Sequence, residues 1–469
     1  MSLSKKIAYN TFVQITSKVI ATVLGLITLG IMARYLGQTG FGEYTTIMTF
    51  LSFFAVVADL GLTLVTTQML SAPSADENRI LSNLFGLRLV TAAIFLGLAP
   101  LAVWFMPYDA TIKWGVVLSL WSFFFVALNQ VLVGLFQKKL RLDKVSIAEV
   151  AGRLALLAGV IMTAYYRLPL YGMLAATVAG SAVSFCFHYF FAKKFARFRL
   201  AFDFSLWREI FKKSWPIGVT IVFNLIYLRA DTLILSLTRS QAEVGIYGAT
   251  YKVIDVLITL PFIFAGIVLP ILTQSWLTDR ERFKRIMQKS FDLMMIFTLP
   301  LVVGAQFVSS RLMVLVAGVD FAASGDVLRI LILAAGIIFL GTIFSHAIIA
   351  VDQQKKIIKA YVFTALTALA GYLIFIPRFS YFGAAWVTIY SELSIAIAAF
   401  WLVNRQTSFR PDLRVGLKAG LAALVMAAAI YPLRNQNLFL VIIAAGTIYC
   451  MALYLFRGIK KEDMNALIQ

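Results

Sequence analysis

The feature that most constrains this chain is a series of long apolar runs that recurs from its beginning to its end. Each run has roughly the 20 residues that an α-helix needs to cross the hydrocarbon core of a bilayer. Because lipid offers backbone amides and carbonyls no hydrogen-bond partner, such runs must fold as helices. The sequence therefore predicts an all-α integral membrane protein with fourteen transmembrane helices. The runs lie at 10–34, 43–70, 81–106, 113–136, 146–166, 171–192, 216–238, 245–276, 291–315, 327–351, 359–377, 382–403, 414–432 and 438–456.

The composition excludes the soluble classes of protein. Of the 469 residues, 61% are hydrophobic and 14% are charged, whereas a soluble domain has about 45–50% and about 25%. Cys186 and Cys450 both lie within apolar runs, so no disulfide framework is indicated. The sequence has no metal-ligand cluster, no nucleotide-binding glycine loop and no Ser/His/Asp arrangement. We therefore predict neither an enzyme nor a resident cofactor.

Basic residues are concentrated in every second loop. The chain has 42 lysine and arginine residues against 22 aspartate and glutamate residues, a net charge of +20. The segments 138–144, 193–199 and 280–289 are rich examples. Loops enriched in lysine and arginine stay on the cytoplasmic side of a membrane, so an even number of helices places both termini in the cytoplasm. Because membrane topology accounts for the charge, no nucleic-acid partner is predicted.

The longest polar stretch between apolar runs is 193–214. Within it, Leu206, Trp207, Ile210 and Phe211 alternate with charged residues at helical spacing. This pattern is typical of an amphipathic helix that lies on the inner membrane surface. A basic linker without such a helix is the alternative.

The two halves of the chain carry the same short motifs in the same order. The segment 40–44, GFGEY, returns at 243–247 as EVGIY, and QKK at 137–139 returns at 354–356. These repeats predict two six-helix lobes of like orientation, related by a pseudo-two-fold axis along the membrane normal. Such lobes enclose a cavity and work by alternating access. The predicted domains are an N-terminal lobe at 1–200, a linker helix and second lobe at 201–404, and helices 13 and 14 at 405–469.

Five cations lie inside the predicted helices and are candidate substrate-binding residues: Lys18, Arg88, Arg153, Arg229 and Lys252. A charge at bilayer depth costs about 2.5–3.5 kcal/mol and usually faces a wet interior. Lys18, Arg88 and Arg153 each lie about 10–14 Å from the inner end of a helix that starts in the cytoplasm. They are predicted to form a cationic belt, and such a belt suits a diphosphate because both side chains bind phosphate oxygens.

These cations also have a second interpretation. Long basic side chains near helix ends extend to the membrane interface, and Glu149 lies four residues before Arg153, in the favourable order for a helical ion pair. Arg229 lies near the middle of its run, where a side chain is farthest from the membrane interface, so we expect it to face the cavity. Lys252 either lines the cavity or pairs with Asp255, three residues on, and Tyr251 offers a ring and a hydroxyl to sugar.

Three carboxylates inside helices are candidates for ion coupling or for a salt bridge within the lobes: Asp59, Asp231 and Asp255. Buried carboxylates can take up and release a proton near neutral pH, so the sequence leaves H⁺ or Na⁺ coupling open. Asp231 lies two residues after Arg229, and on a regular helix the two side chains point to nearly opposite faces. They are therefore not expected to pair with each other.

The segment 33–64, ARYLGQTGFGEYTTIMTFLSFFAVVADLGLTL, resembles the signature of the polysaccharide, or oligosaccharide-lipid, flippases of the multidrug/oligosaccharidyl-lipid/polysaccharide exporter superfamily. The matching features are RYLG at 34–37, GFG at 40–42 and ADLG at 58–61. The helix count, the topology and the repeat extend the resemblance along most of the chain.

The resemblance implies translocation of an undecaprenyl-diphosphate-linked oligosaccharide across a bacterial cytoplasmic (inner) membrane, for assembly of O-antigen, capsule or exopolysaccharide. Expected partners are that lipid-linked oligosaccharide, membrane lipids, and polysaccharide polymerase and chain-length machinery. A lipid II flippase and an ion-coupled multidrug exporter of the same superfamily are alternatives. A membrane glycosyltransferase or polymerase is a third, disfavoured because every predicted outer loop is short.

Overall fold

The computed structural model describes residues 3–70 and 76–458, and this part of the chain is helical without β-strands. The all-α prediction is therefore confirmed. The helices are α1 Leu3–Asp59, α2 Leu62–Leu70, α3 Glu77–Trp104, α4 Ala110–Lys138, α5 Leu142–Tyr165, α6 Leu170–Ala192, α7 Phe204–Thr238, α8 Gln241–Thr278, α9 Arg280–Ala317, α10 Ser324–Ala350, α11 Gln354–Thr407, α12 Arg414–Ile430 and α13 Leu438–Leu455.

Two of these helices are far longer than a bilayer is thick, and both contain a break. α1 has 57 residues and α11 has 54, which as straight helices would span about 80–85 Å. Gly37 (φ 64°) interrupts α1 and Ser380 (φ 52°) interrupts α11 with left-handed backbone. Each helix therefore contains two membrane-length segments. With α2 continuing the second segment of α1, the described helices form fourteen segments, in agreement with the predicted number.

Length and apolarity single out ten of the described helices as able to cross a membrane, or up to eleven if a bent pair within α7 counts as one span. That pair, Ile221–Tyr227 and Arg229–Thr238, is bent by 51°. The multi-pass membrane character predicted from the apolar runs is thus confirmed.

The helices form two compact units, Met1–Gly248 and Ala249–Gln469. In the first unit, α1 packs against α3, α4, α5 and α7, and α6 packs against α4 and α5. In the second unit, α10 packs against α9 and α11, while α12 and α13 pack against each other and against α9. Each unit has apolar cores of its own. The division at 200 and 404 stays a prediction.

The predicted amphipathic segment forms the beginning of α7. Asp203 caps the helix by accepting hydrogen bonds from the backbone amides of Ser205 (3.1 Å) and Leu206 (3.3 Å). Ile210 is fully buried in an apolar core, and the charged face of the segment, Arg208, Glu209, Lys212 and Lys213, is exposed. The helical, two-faced character holds, and its position on the inner membrane surface stays a prediction.

Candidate functional site

The ADLG motif at 58–61 breaks the second membrane segment in its middle. α1 ends at Asp59 and α2 begins at Leu62, with left-handed backbone at Leu60 (φ 42°) and Gly61 (φ 78°) between them. Asp59 caps the new helix: its Oδ2 accepts from the Gly61 amide (3.2 Å), and its Oδ1 accepts from the Thr63 hydroxyl (2.5 Å). The motif therefore supplies both the break and the carboxylate that stabilises it.

Arg88 of α3 pairs with this carboxylate inside the first unit. Its Nη1 lies 2.6 Å from Asp59 Oδ1, and its Nε donates to the Ala127 carbonyl at 3.0 Å. Its Nη2 donates to the Oε1 of Gln130 in α4, which also accepts from the Thr63 hydroxyl at 2.9 Å. Only 2% of Arg88 is exposed. The guanidinium thus joins α1, α3 and α4, and its donors are satisfied by protein.

The predicted belt of three cations is divided in this structure. Lys18 and Arg153 are exposed, and Glu149 lies within electrostatic range of both. A hydrogen bond of 2.8 Å between the hydroxyls of Ser17 and Ser146 holds α1 against α5 beside them. Arg88, in contrast, makes its polar contacts with Asp59, Gln130 and the Ala127 carbonyl. Lys18, Glu149 and Arg153 therefore form an accessible cluster with one net positive charge, separate from Arg88.

Asp231 is fully buried in the first unit and satisfied by three donors. Its Oδ1 accepts from the Thr232 amide (2.5 Å) and hydroxyl (3.1 Å), and its Oδ2 accepts from the Tyr247 hydroxyl (2.7 Å). Arg229 is half-buried and has interactions of its own. Asp231 thus ties α7 to the first turns of α8.

The remaining candidates lie in the second unit, on α8. The Tyr251 hydroxyl shares a 3.4 Å hydrogen bond with the Thr388 hydroxyl of α11. Lys252 is exposed and Asp255 is half-buried, and each has interactions of its own. The sugar-binding role of Tyr251 and Lys252 and the coupling role of Asp255 stay predictions.

The two copies of the repeated glycine motif meet in the first unit. A Cβ added to Gly42 would lie 1.7 Å from the Gln241 carbonyl oxygen, and one added to Gly245 would lie 2.0 Å from the Gln38 carbonyl oxygen. Gly42 and Gly245 are repeat counterparts, and so are Gln38 and Gln241. The contact is therefore reciprocal, as across a two-fold axis, and only glycine permits so close an approach of two backbones.

Hydrogen bonds surround this glycine crossing. The Thr46 hydroxyl donates to Gln241 Oε1 at 2.7 Å, and the hydroxyls of Tyr108 and Ser236 share a bond of 2.7 Å. Together with the Asp231–Tyr247 bond, these contacts attach α7 and α8 to α1 and to the loop after α3. These contacts hold the end of α7 and the beginning of α8 against α1 close to the Gly37 turn.

Sequence reasoning did not single out three residues that the structure makes prominent. Gln130 completes the Arg88 network, and Gly245 was recognised only as part of a repeat. Glu392 of α11 is 8% exposed within the second unit. An acidic residue inside an apolar run is the signal that identifies Glu392, because such residues are rare and functional in membrane segments.

Solved structures define the class of protein to which this fold belongs. The chain matches the lipid II flippase MurJ in an inward closed conformation, with a TM-score of 0.78 and 16% identity, over 97% of this chain and 99% of that one. It also matches an inward-facing multidrug resistance MATE family transporter of the MOP superfamily, with a TM-score of 0.68 and 13% identity, over 85% and 98% of the two chains. The fold is therefore that of MOP superfamily transporters.

The family follows from the sequence. The model of the family described as "Polysaccharide biosynthesis protein" matches residues 7–276, more than half of the chain. The chain belongs to this family, which confirms the resemblance at 33–64. A curated relative, the probable low-salt glycan biosynthesis flippase Agl15 of Haloferax volcanii, is 21% identical over 472 residues, 95% of this chain and 95% of that protein.

Proposed function

We propose that the protein is a flippase that moves undecaprenyl-diphosphate-linked oligosaccharides from the inner to the outer leaflet of a bacterial cytoplasmic membrane. The observation that carries this proposal is the exposed cluster of Lys18, Glu149 and Arg153. Arg153 lies about 16 Å along α5 from its start, a depth at which a cation facing hydrocarbon costs about 2.5–3.5 kcal/mol. An exposed cation at that depth is more stable beside water and an anionic headgroup.

The diphosphate is the part of the substrate that this cluster fits. Arg153 offers a planar fork to two phosphate oxygens, and Lys18 offers a compact point charge. Glu149 leaves one net positive charge, which attracts an anion without holding it irreversibly. In our proposal Arg88 does not touch the substrate, because Asp59 and Gln130 occupy its donors.

Alternating access supplies the movement in this proposal. The glycine crossing of Gly42 and Gly245 forms the closed outer end, and the termini lie in the cytoplasm. The Asp59–Arg88 pair acts as a structural link at the break between α1 and α2. Arg229 lies beside the bend of α7, in a discontinuous helix of the kind that forms transporter sites. Polysaccharide polymerase and chain-length machinery are the partners that would receive the product.

The test is flipping of a fluorescent undecaprenyl-diphosphate oligosaccharide in liposomes that contain the purified protein. Lys18→Gln and Arg153→Gln should each raise the substrate concentration for half-maximal rate by about tenfold to about a hundredfold, because a charge-assisted hydrogen bond contributes about 1.5–3 kcal/mol. Lys212→Gln, an exposed cation at the start of α7, is the matched control. Unchanged kinetics in both cluster variants, at normal protein levels, would refute the proposal.

Lipid II is a second candidate substrate, favoured by the fold match to the lipid II flippase MurJ. It carries the same kind of diphosphate headgroup, so the cluster alone does not discriminate. Competition settles the question: excess unlabelled lipid II should leave flipping of the oligosaccharide nearly unchanged if the oligosaccharide is the preferred substrate. Drug-resistance profiling of a deletion strain tests the multidrug-exporter alternative.

A further inference from the structure

A carboxylic acid lies inside the second unit without a hydrogen-bond or ion-pair partner in the described part of the chain. Glu392 is on the second segment of α11, about 18 Å along the helix from the break at Ser380. It is 8% exposed. Its lack of a partner distinguishes Glu392 from Asp59 and Asp231 of the first unit, which both accept hydrogen bonds from several donors.

Side chains that carry hydroxyl groups lie on the helical turns next to Glu392. Tyr361, on the first segment of α11, hydrogen-bonds Ser345 of α10 and lies within electrostatic range of the Glu392 carboxylate. One turn before Glu392, the Thr388 hydroxyl contacts the hydroxyls of Tyr251 (3.4 Å) and Tyr372 (3.3 Å). One turn after it, Ala396 packs closely on Gly341 of α10. Glu392 is therefore largely buried where α10 and α11 pack together.

The titratable groups of the neighbouring helices do not neutralise Glu392. On α8, Lys252 and Asp255 follow Tyr251 and have interactions of their own. On α10, the His346 Nδ1 donates to the Thr342 carbonyl at 2.8 Å, and its ring lines a small cavity toward α8 and α9 with Phe264. Within residues 76–458, no cationic nitrogen lies within 4 Å of the Glu392 oxygens in an ion pair.

An ionised carboxylate is costly in such a place, whereas the neutral acid is tolerated. A sodium ion is the alternative ligand, because carboxylate, hydroxyl and carbonyl oxygens bind it, and the infrared experiment below distinguishes the two ions. A single proton needs only the carboxylate itself.

We propose that Glu392 is a proton-binding site, protonated in this conformation and able to release its proton to water when transport rearranges the packing of α10 on α11. The O–H bond of the acid breaks, the electron pair stays on the carboxylate, and water accepts the proton. This inference rests on the proposed function for its role, since it links a proton to the flippase cycle, but the protonation itself can be measured without any substrate.

Infrared difference spectroscopy of the reconstituted protein tests the protonation directly. At neutral pH the wild type should show the carbonyl stretch of a protonated carboxylic acid. The isosteric Glu392→Gln should lose that band, and Glu209→Gln, an exposed residue paired with Lys213 at 2.7 Å, should keep it. Absence of the band in the wild type, its persistence in Glu392→Gln, or its conversion to carboxylate on addition of Na⁺ would overturn the inference.

The pH dependence of flipping tests the link to transport. With one proton exchanged per cycle, the wild-type rate should change by up to about tenfold per pH unit on one side of its optimum, and Glu392→Gln should lose this dependence. Glu392→Asp, which keeps the acid, should retain it. If the wild type flips no oligosaccharide while the infrared band is present, the proposed function fails and the proton site stands. If the wild type and Glu392→Gln share one pH profile, the link fails.

Discussion

The contact between Gly42 and Gly245 makes the sharpest prediction about this molecule. Replacing Gly42 by alanine adds a Cβ that would lie 1.7 Å from the Gln241 carbonyl oxygen and 2.6 Å from its carbonyl carbon. Ordinary contacts of a Cβ begin near 3.4 Å. Because both neighbours are backbone atoms, no side chain can move aside, and α1 and α8 must separate by well over an ångström.

The magnitude follows from the cost of overpacking. An extra carbon in a well-packed site costs about 1–3 kcal/mol, and every 1.4 kcal/mol is a tenfold change in an equilibrium. Gly42→Ala should therefore reduce the population of the closed end by about fivefold to about a hundredfold. Gly245→Ala, whose Cβ would lie 2.0 Å from the Gln38 carbonyl oxygen, should act in the same direction.

Pulsed electron-spin distance measurements can read this equilibrium. Spin labels at the exposed positions Thr39 and Ser240, in a background with Cys186 and Cys450 changed to serine, report the separation of the two motifs. Gly42→Ala should shift the distribution to longer distances and slow flipping. Gly25→Ala is the control, because Gly25 lies on the same helix as Gly42 and a Cβ added there meets nothing within 4 Å. The same distances and rates in both variants would refute the closure argument.

Two further predictions concern stability. Arg88→Gln should destabilise the protein by about 3–5 kcal/mol, because it removes the cation that balances the largely buried charge of Asp59, and adding Asp59→Asn should restore part of the loss in detergent thermal unfolding; an additive loss would contradict the pairing. Hydrogen bonding by Arg79, and further donation by Ser205 and the Leu206 amide, hold the pKa of Asp203 well below its usual range. The stability that this lowered pKa provides is present above about pH 4 and is lost as pH falls further. Asp203→Asn should abolish that acid-dependent part of the melting curve, and an unchanged acid dependence would show that the cap contributes nothing.

The fold could be predicted largely because lipid removes alternatives. Once an apolar run of membrane length is present, only a helix satisfies its backbone, so the fourteen runs correspond to the fourteen observed segments. The break at Gly37 falls between two predicted runs, whereas the sequence predicts one unbroken helix over 43–70 and so misses the break at Gly61. What the pattern did not contain is the rotation of each helix, because an apolar run surrounded by lipid on one side and protein on the other has no clear polar face.

The rotation of each helix about its own axis determines what each predicted cation contacts. Lys18, Arg88 and Arg153 have similar calculated depths, so the sequence placed them in one belt. Arg88 turns toward α1 and α4, where Asp59 and Gln130 satisfy it, whereas Lys18 and Arg153 remain accessible. Both interpretations of Asp59 were available from the sequence. Choosing the salt bridge required knowing that Arg88 of α3 faces Asp59 of α1.

The repeat contained more information than its individual matches suggested. A residue far from a two-fold axis contacts residues unrelated to its own counterpart, while a residue on the axis contacts its counterpart or that counterpart's neighbours. Gly42 meets Gln241, Gly245 meets Gln38 and Gly248 meets Thr45, so each contact pairs positions from equivalent parts of the two motifs, as the predicted two-fold relation requires. A short motif that returns with its glycine unchanged, amid helices that have otherwise diverged, therefore indicates the place where the two copies cross. Small residues are required there because a Cβ would collide with the backbone of the other motif.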